Sequence, residues 1–228
     1  MAQKNVWDNE YKKNLLVTLG NEPQASVKEF LRFLRKNHPL PENAYIIDLG
    51  SGTGRNAIHL AELGYKAVGI EISPAAVAMA KERSKNLPPS QVTFTEESIG
   101  GTLNFPDNAF DLALDVTSSN SLNEAERAVF LKETHRILKP GAFFFVRALC
   151  KDGDKNAQTL MKDFPGPEKD TYVMPETNII ERAFSKKDFE ELYSPFFEIL
   201  YIDKETHYTK MNNRSYKRNF WIAYLKKR

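Results

Sequence analysis

The fold is decided by the segment YIIDLGSGTGRNAIHLAELGYKAVGIEIS, which runs from Tyr45 to Ser73. An apolar run ends beside an acid, glycines then alternate with other residues, a helical pattern follows, and a second apolar run ends at Glu71. Short apolar runs bounded by glycines predict buried strands, and the 3.6-residue pattern between them predicts a helix. The order strand, glycine turn, helix, strand is typical of the first crossover in a parallel α/β sheet.

The same alternation of strands and helices continues along the chain. Asn123 and Glu126 match a capping box, and Ser73-Pro74 supplies an N-cap with a first-turn proline, so a helix is predicted to begin at each place. The last two apolar runs have no helix-sized pattern between them and predict an antiparallel hairpin at the sheet edge. The predicted strands are Tyr45–Leu49, Ala67–Ile72, Val92–Thr95, Phe110–Val116, Ala142–Leu149, Phe196–Ile202 and Asn219–Leu225. This pattern predicts a doubly wound α/β sheet with an antiparallel C-terminal hairpin.

Two segments lie outside this alternation. The first, residues 1–43, is predicted to be a helical N-terminal segment that precedes a main domain, residues 44–228. Residues 1–43 are polar, with Val27, Phe30 and Leu34 spaced for one packed helix face. Residues 151–183 are polar and contain three prolines, which predicts an insertion that crosses one edge of the sheet.

Composition sets broad limits on the class of protein. The chain has 228 residues, 41% of them hydrophobic and 27% charged, with a net charge of +2, which is ordinary for a globular protein and indicates no particular partner. Cys150 is the only cysteine, so no internal disulfide is possible and a reducing compartment is favoured. The N-terminus lacks the apolar core of a signal peptide, and no apolar run approaches the roughly 20 residues of a membrane helix. A soluble, cytoplasmic protein is expected.

The glycine turn predicts a ligand site at the carboxyl ends of the strands, although such a turn can also exist without a ligand. Gly50, Gly52 and Gly54 permit a sharp turn and a close approach by a ligand. Glu71 lies 19 residues after Gly52, at the end of the second strand, where an acid can accept hydrogen bonds from both ribose hydroxyls. Together these residues predict a nucleoside-containing ligand.

The residues around the glycines favour one class of nucleoside ligand. A dinucleotide fold requires G-x-G-x-x-G for its pyrophosphate, whereas this chain has G-x-G-x-G preceded by Asp48. A carboxylate at Asp48 repels a pyrophosphate and suits a cation. S-adenosylmethionine carries an amino group and a sulfonium and has no phosphate, so the charge pattern favours it.

These segments resemble the motifs of class I S-adenosylmethionine-dependent methyltransferases. IIDLGSGTGRNAIHLAELGYKAVGIEIS is similar to the first two motifs, and NFPDNAFDLALDV and HRILKPGAFFFV look like later ones, in order from about residue 44 to 149. GTGRNAIHLAELGY is similar to the small-molecule branch that includes tellurite-resistance type methyltransferases. The resemblance implies a seven-stranded sheet with the last strand inserted antiparallel.

The resemblance also implies roles for individual residues. It places Glu71 at the ribose, Ile72 on the adenine face, and Asp115 near the methionine amine and the transferring methyl, where it is a tentative catalytic residue. The family often has an Asp for the adenine amino group after the third strand, whereas this chain has Ser98, or Glu97 if the register differs by one. The full set of expected cofactor-binding residues is Asp48, Gly50, Gly52, Gly54, Arg55, Asn56, Glu71, Ile72, Ser98, Ile99 and Asp115.

The sequence contains fewer recognisable motifs for the residues that contact the methyl acceptor. Ser118 and Asn120, in DVTSSN, are candidate substrate contacts, although they also suit a loop that caps the next helix. His207 lies between the last two strands and is a further candidate, with a solvated role as the alternative. Trp7 and Tyr11 either form part of a lid, as N-terminal helices do in related small-molecule methyltransferases, or anchor a terminal helix. No spacing of His, Cys or acids is typical of a metal site.

The sequence therefore predicts methyl transfer from S-adenosylmethionine to a small molecule by in-line displacement. The Asn/Asp-Pro-Pro-Tyr/Phe signature of many base and glutamine amino methyltransferases is absent. From Thr206 onward the chain has seven Lys or Arg and no acid, so an RNA or protein methyltransferase with a basic C-terminal edge remains an alternative. A non-catalytic protein that binds S-adenosylmethionine is the other alternative.

Overall fold

The structure, a computed structural model, describes residues 3–13, 20–211 and 214–228, with side chains described up to residue 208 and again from residue 217. Its centre is a seven-stranded sheet in the order β3-β2-β1-β4-β5-β9-β8. The strands are β1 (Tyr45–Leu49), β2 (Lys66–Glu71), β3 (Val92–Glu96), β4 (Phe110–Val116), β5 (Leu138–Leu149), β8 (Phe197–Met211) and β9 (Arg214–Lys227). β1 to β5 pair in parallel, and β9 pairs antiparallel with both β5 and β8. The predicted fold class is confirmed.

The helices begin where the sequence supplies caps. The Ser73 hydroxyl accepts a hydrogen bond from the Ala76 amide, and Asn123 and Glu126 form a capping box. The helices are α1 (Lys4–Lys13), α2 (Ala25–Asn37), α3 (Arg55–Glu62), α4 (Pro74–Arg83), α5 (Glu124–Ile137), α6 (Lys155–Asp163) and α7 (Lys186–Tyr193), with a 3₁₀ turn at Ser118–Ser121. Of the predicted N-terminal segment 1–43, residues 1, 2 and 14–19 lie outside the described residues.

Both faces of the sheet are covered, which explains the continuous apolar strands. On one face, Phe30 of α2 packs 5.3 Å from Phe145 and 4.6 Å from Tyr224, measured between ring centroids. On the other face, Phe144 packs 6.2 Å from Phe130 of α5 and 6.3 Å from Tyr193 of α7. Among the helices of the described ranges, none is long and apolar enough to cross a membrane.

The insertion at residues 151–183 has regular structure that the sequence pattern did not reveal. It contains α6 and a two-stranded sheet of β6 (Thr171–Val173) and β7 (Ile180–Arg182). α6 lies against β9, and β7 lies against the 3₁₀ turn. Tyr172, Met174 and Ile179 are buried and anchor the insertion to the rest of the domain. It therefore covers the ends of the C-terminal strands of the sheet.

Candidate active site

A cavity of about 880 Å³ lies at the carboxyl ends of the parallel strands. Strand order reverses between β1 and β4, which is where open α/β sheets bind their ligands. The cavity wall combines the glycine turn, α1, the insertion and the β8–β9 hairpin. Four separate parts of the chain therefore enclose one site.

The glycine turn has no room for side chains. Gly50 and Gly52 have φ angles of 74° and 55°, in the left-handed region that favours glycine. A Cβ on Gly50 would lie 2.3 Å from the Ser118 side chain, and one on Gly52 would lie 2.6 Å from the Tyr11 hydroxyl oxygen. The turn is thus a bare backbone surface that fits a group lying close against it.

Glu71 is a buried acid at the end of β2 and lies on the cavity wall beside Ile72. Its carboxylate accepts hydrogen bonds from the amides of Gly52 and Ser73, each at 2.9 Å. Burial raises the pKa of Glu71, while these two amides oppose the rise. Each carboxylate oxygen has a further lone pair, so the fixed side chain can also accept hydrogen bonds from a ligand.

Asp48 and Arg55 lie beside the glycine turn, and the charge of each acts on the other. Asp48 is 1% exposed, and within the described part of the chain its Oδ2 atom has no hydrogen-bond partner. Burial raises the pKa of Asp48 to about 7, and the Arg55 guanidinium limits the rise. Arg55 lies on the cavity wall and donates a hydrogen bond to Gln24, whereas Asp48 lies behind the wall. The unpartnered carboxylate oxygen is consistent with a cationic group bound nearby.

Asp115 lies behind the cavity wall and holds the 3₁₀ turn in place. Its Oδ1 atom accepts hydrogen bonds from the amides of Ser118 and Ser119, at 3.0 and 3.1 Å. Burial raises the pKa of Asp115 to about 6, although these hydrogen bonds act to lower it. Asn120 is also buried, and its side-chain oxygen accepts from the Leu149 amide at 3.3 Å. Both residues support the wall, and Ser118 lies on it together with Val116 and Thr117.

α1 covers the cavity through contacts at both of its ends. Asp8 accepts hydrogen bonds from the Ser73 hydroxyl and the Ala75 amide, each at 2.9 Å, at the beginning of α4. The Gln3 side chain binds the backbone of Ile180 in β7 and the carbonyl of Ser121. Trp7 and Tyr11 of the same helix face the cavity.

The far half of the cavity is formed by β5, the insertion and the hairpin. Its apolar side chains include Leu149, Met174, Ile179 and Phe220, and two acids, Glu176 and Glu181, lie on the same wall. Arg147 and Arg218 also lie on this wall. The sequence analysis did not identify Arg147, although a single arginine inside the apolar run GAFFFVRALC is a signal that could have found it.

The structure brings most of the expected site residues to one cavity. Those on its wall are Trp7, Tyr11, Gly50, Gly52, Arg55, Asn56, Glu71, Ile72, Ser98, Ile99, Ser118 and His207. Those that do not face it are Asp48, Gly54, Asp115 and Asn120. A search of the described residues found no group of His, Cys, Asp or Glu that could hold a metal ion.

Two of the basic side chains described in the predicted basic edge make inward contacts. Arg218 lies on the cavity wall and donates a hydrogen bond to the Tyr172 hydroxyl at 2.5 Å. Lys227 is 8% exposed and donates to the Leu138 carbonyl and to Asn108. Lys210 and Arg214, from the same segment, have side chains outside the described ones.

Comparisons with known proteins agree with this geometry. Residues 46–141 match the model of a methyltransferase domain family. The chain is 27% identical over 135 residues to a sterol 4-C-methyltransferase of Caenorhabditis elegans, covering 59% of this chain and 40% of that protein. It is 33% identical over 108 residues to 2-methyl-6-phytyl-1,4-hydroquinone methyltransferase of Synechocystis, covering 47% of this chain and 32% of that protein. The chain thus spans less than half the length of these relatives.

A solved structure extends the likeness to most of the fold. A SAM-dependent methyltransferase from Methanosarcina mazei superposes with a TM-score of 0.72 at 23% identity, covering 90% of this chain and 98% of that one. The family match, the relatives and this common fold confirm the predicted superfamily. Residues 46–141 are therefore similar to a methyltransferase domain, and the chain has the fold of S-adenosylmethionine-dependent methyltransferases.

Proposed function

We propose that this protein is an enzyme that transfers the methyl group of S-adenosylmethionine to a small-molecule acceptor by in-line displacement. The observation that carries the proposal is Glu71, whose buried carboxylate is held by two amides on the cavity wall. It lies beside glycines that exclude any side chain, so a ribose can lie on the turn while its hydroxyls reach Glu71.

The other wall residues suit the remaining parts of the cofactor. Ile72 and Ile99 provide apolar contacts for the adenine, and Ser98 or Glu97 offers a hydrogen-bond acceptor for its amino group. Arg55 pairs with the methionine carboxylate, since a guanidinium matches a carboxylate in shape and charge. Asp48, just behind the turn, provides negative charge near the amino group and the sulfonium.

Methyl transfer requires little of the protein beyond aligning the two reactants and excluding water from them. S-adenosylmethionine supplies a methyl group that its sulfonium has already activated. Orienting two reactants can contribute roughly 7–11 kcal/mol, more than a typical general base supplies. α1 and the insertion enclose the site on the side away from the sheet, so their closure excludes water from the reacting atoms.

The size and covering of the cavity favour a small acceptor. Its volume, about 880 Å³, falls within the range of roughly 300–1,000 Å³ that small-molecule sites occupy. The relatives named above act on a sterol and on a hydroquinone, which are small, largely apolar molecules. The inward contacts of Arg218 and Lys227 leave less basic surface for RNA or for an acidic protein segment. We therefore prefer the small-molecule proposal to the macromolecular alternative.

Calorimetric titration tests the cofactor assignment. S-adenosylmethionine and S-adenosylhomocysteine should both bind the wild type, and Glu71→Ala should weaken both by at least tenfold. A hydrogen bond to a charged group contributes about 1.5–3 kcal/mol, and each 1.4 kcal/mol corresponds to tenfold. Glu62→Ala, at an exposed acid on α3, is the matched control. Equal affinity in Glu71→Ala, or no binding to the wild type, would contradict the proposal, and a screen with labelled methyl donor then tests turnover.

A further inference from the structure

The part of the cavity wall beyond the glycine turn contains a buried cation, Arg147, whose one described ion pair is a long one to Glu205. Arg147 lies on the cavity wall near the end of β5 and is 8% exposed. Its guanidinium carbon lies 3.4 Å from the centroid of the Phe220 ring, so the planar group is stacked on an aromatic face. Within the described part of the chain, the Arg147 side chain donates no hydrogen bond, and its Nε atom is buried without a partner.

The nearest acid, Glu205, accepts no hydrogen bond from the Arg147 guanidinium. Glu205 Oε2 lies 3.7 Å from Arg147 Nε, beyond hydrogen-bond distance. The other oxygen, Glu205 Oε1, lies 2.5 Å from Nε2 of His207. Glu205 therefore lowers the local positive charge, and within the described residues neither terminal nitrogen of Arg147 donates a hydrogen bond to an acceptor. Burial lowers the pKa of Arg147 to about 10, so the group stays cationic at neutral pH.

Arg218 on the same wall provides a contrast. Its Nη2 atom donates to the Tyr172 hydroxyl at 2.5 Å and lies 3.8 Å from Glu181. The Nε atom of Arg218 is buried without a partner, as that of Arg147 is, but Arg218 also donates a hydrogen bond, whereas the Arg147 side chain donates none within the described residues. A buried guanidinium without acceptors is unfavourable, and its parallel donors match a carboxylate in shape.

The surroundings of Arg147 indicate what else the ligand must have. Leu149 and Phe220 flank it, and Leu160, Met174 and Ile179 of the insertion complete an apolar wall. Arg55 lies at the glycine turn, where the methionine carboxylate is expected, whereas the ion pair and ring contact of the Arg147 side chain are with the hairpin residues Glu205 and Phe220. A ligand in this half of the cavity therefore combines an apolar body with an anionic oxygen.

We propose that the methyl acceptor carries an anionic oxygen, a carboxylate or an acidic phenol or enol, which Arg147 binds through its two terminal nitrogens. The apolar body of the acceptor lies against Leu149, Phe220 and the insertion. This proposal rests on the proposed function, because it names the acceptor class for the same cavity. Arg147 is then the residue that distinguishes acidic acceptors from neutral molecules of the same shape.

The test compares matched acids and amides on the protein saturated with S-adenosylhomocysteine. The probes are benzoate and benzamide, 2-naphthoate and 2-naphthamide, and indole-3-acetate and indole-3-acetamide, titrated by calorimetry or ligand-observed NMR. At least one acid should bind the wild type about tenfold or more tightly than its amide. Arg147→Met should reduce this preference to less than about twofold, with the affinity for S-adenosylhomocysteine unchanged.

Two further variants make the result specific. Arg182 also stacks on a phenylalanine, 4.9 Å from the centroid of Phe184, and has a buried Nε without a partner, but it does not face the cavity. Arg182→Met should therefore keep the preference. Arg147→Lys keeps the charge without the planar donors and should retain part of it, which guards against a folding defect in Arg147→Met.

Several outcomes would overturn the proposal. They are equal binding of every acid and its amide to the wild type, no binding of any probe at millimolar concentration, and a preference that survives in Arg147→Met. A loss of S-adenosylhomocysteine affinity in Arg147→Met would assign the guanidinium to the cofactor carboxylate instead. Failure of S-adenosylhomocysteine to bind the wild type is a different result, because it contradicts the proposed function itself.

Discussion

Gln3 and Ile180, 177 positions apart in the chain, are joined by two hydrogen bonds. The Ile180 amide donates to the Gln3 side-chain oxygen at 2.7 Å, and the Gln3 amide group donates to the Ile180 carbonyl at 2.8 Å. The same amide group also donates to the Ser121 carbonyl at 2.6 Å. One side chain, immediately before α1, thus connects the insertion and the 3₁₀ turn beside the cavity.

Loss of this connection should loosen the cover of the site. Each of the three hydrogen bonds contributes about 0.5–1.5 kcal/mol. We expect Gln3→Ala to speed dissociation of S-adenosylmethionine at least fivefold in stopped-flow experiments, with a smaller effect on association. Gln158→Ala, on α6, removes a glutamine whose single contact is a long one to the Lys151 carbonyl. Equal dissociation rates in the two variants would contradict a lid role for α1.

Trp7 should report the closure directly. It lies on the cavity wall, whereas Trp221 is buried and donates to the Phe184 carbonyl. In a Trp221→Phe background, we expect the Trp7 emission to change when S-adenosylmethionine binds. Calorimetry on the same variant provides the control, because heat of binding without any change in emission would show that Trp7 only anchors α1.

Gly52 allows crowding and backbone strain to be measured separately. A Cβ at this position meets the Tyr11 oxygen at 2.6 Å, and φ is also positive. Gly64 has a φ of 93° but nothing within 4 Å of an added Cβ, so Gly64→Ala measures strain alone. We expect Gly52→Ala to weaken S-adenosylmethionine binding at least tenfold and Gly64→Ala to leave it unchanged.

Removing the crowding oxygen should restore part of the binding lost in Gly52→Ala. Tyr11→Phe deletes the nearest atom, and the next one lies at 3.5 Å, an ordinary contact distance. The double variant Gly52→Ala, Tyr11→Phe should therefore bind the cofactor more tightly than Gly52→Ala alone. Additive losses in the two variants would show that Tyr11 does not limit the space over the turn.

Asp48 should make stability depend on pH. Its pKa rises from 3.8 in the unfolded chain to about 7 in the folded protein, so the folded state binds the extra proton between these values. Stability from this group therefore falls as pH rises through that window. Relative to the wild type, Asp48→Asn should gain roughly 2–3 kcal/mol in unfolding free energy between pH 5 and pH 8. Urea titrations measure this difference, and a constant difference across pH would contradict a raised pKa of Asp48 in the folded protein.

Most of the fold could be predicted because its signals are local. The turn at Gly50 to Gly54, the caps at Ser73 and Asn123 and the continuous apolar strands each occur within a few residues. The insertion could not be predicted in the same way. α6, β6 and β7 are short, and their stability depends on buried contacts such as Tyr172 with the hairpin residue Arg218. Such contacts join distant parts of the chain and leave no periodic pattern.

Some residues of the candidate site could likewise be predicted from local motifs, and others could not. Glu71, Ile72 and Arg55 follow directly from motif position, and the structure brings them to one cavity. Asp48 and Asp115 also lie near the ends of strands, but their side chains lie behind the cavity wall. The position of a residue in its strand does not by itself determine whether its side chain faces the cavity. The Arg147 guanidinium on the cavity wall is stacked on the ring of Phe220, which β9 brings next to β5. This contact between distant residues is not visible in the sequence.

A crystal structure of the protein soaked with S-adenosylhomocysteine tests the central claim most directly. We expect the ribose hydroxyls within hydrogen-bond distance of both oxygens of Glu71, with the amino acid end of the ligand beside Asp48 and Arg55. A ligand bound elsewhere, an empty cavity at saturating concentration, or NADH bound on the glycine turn in a parallel soak would contradict it.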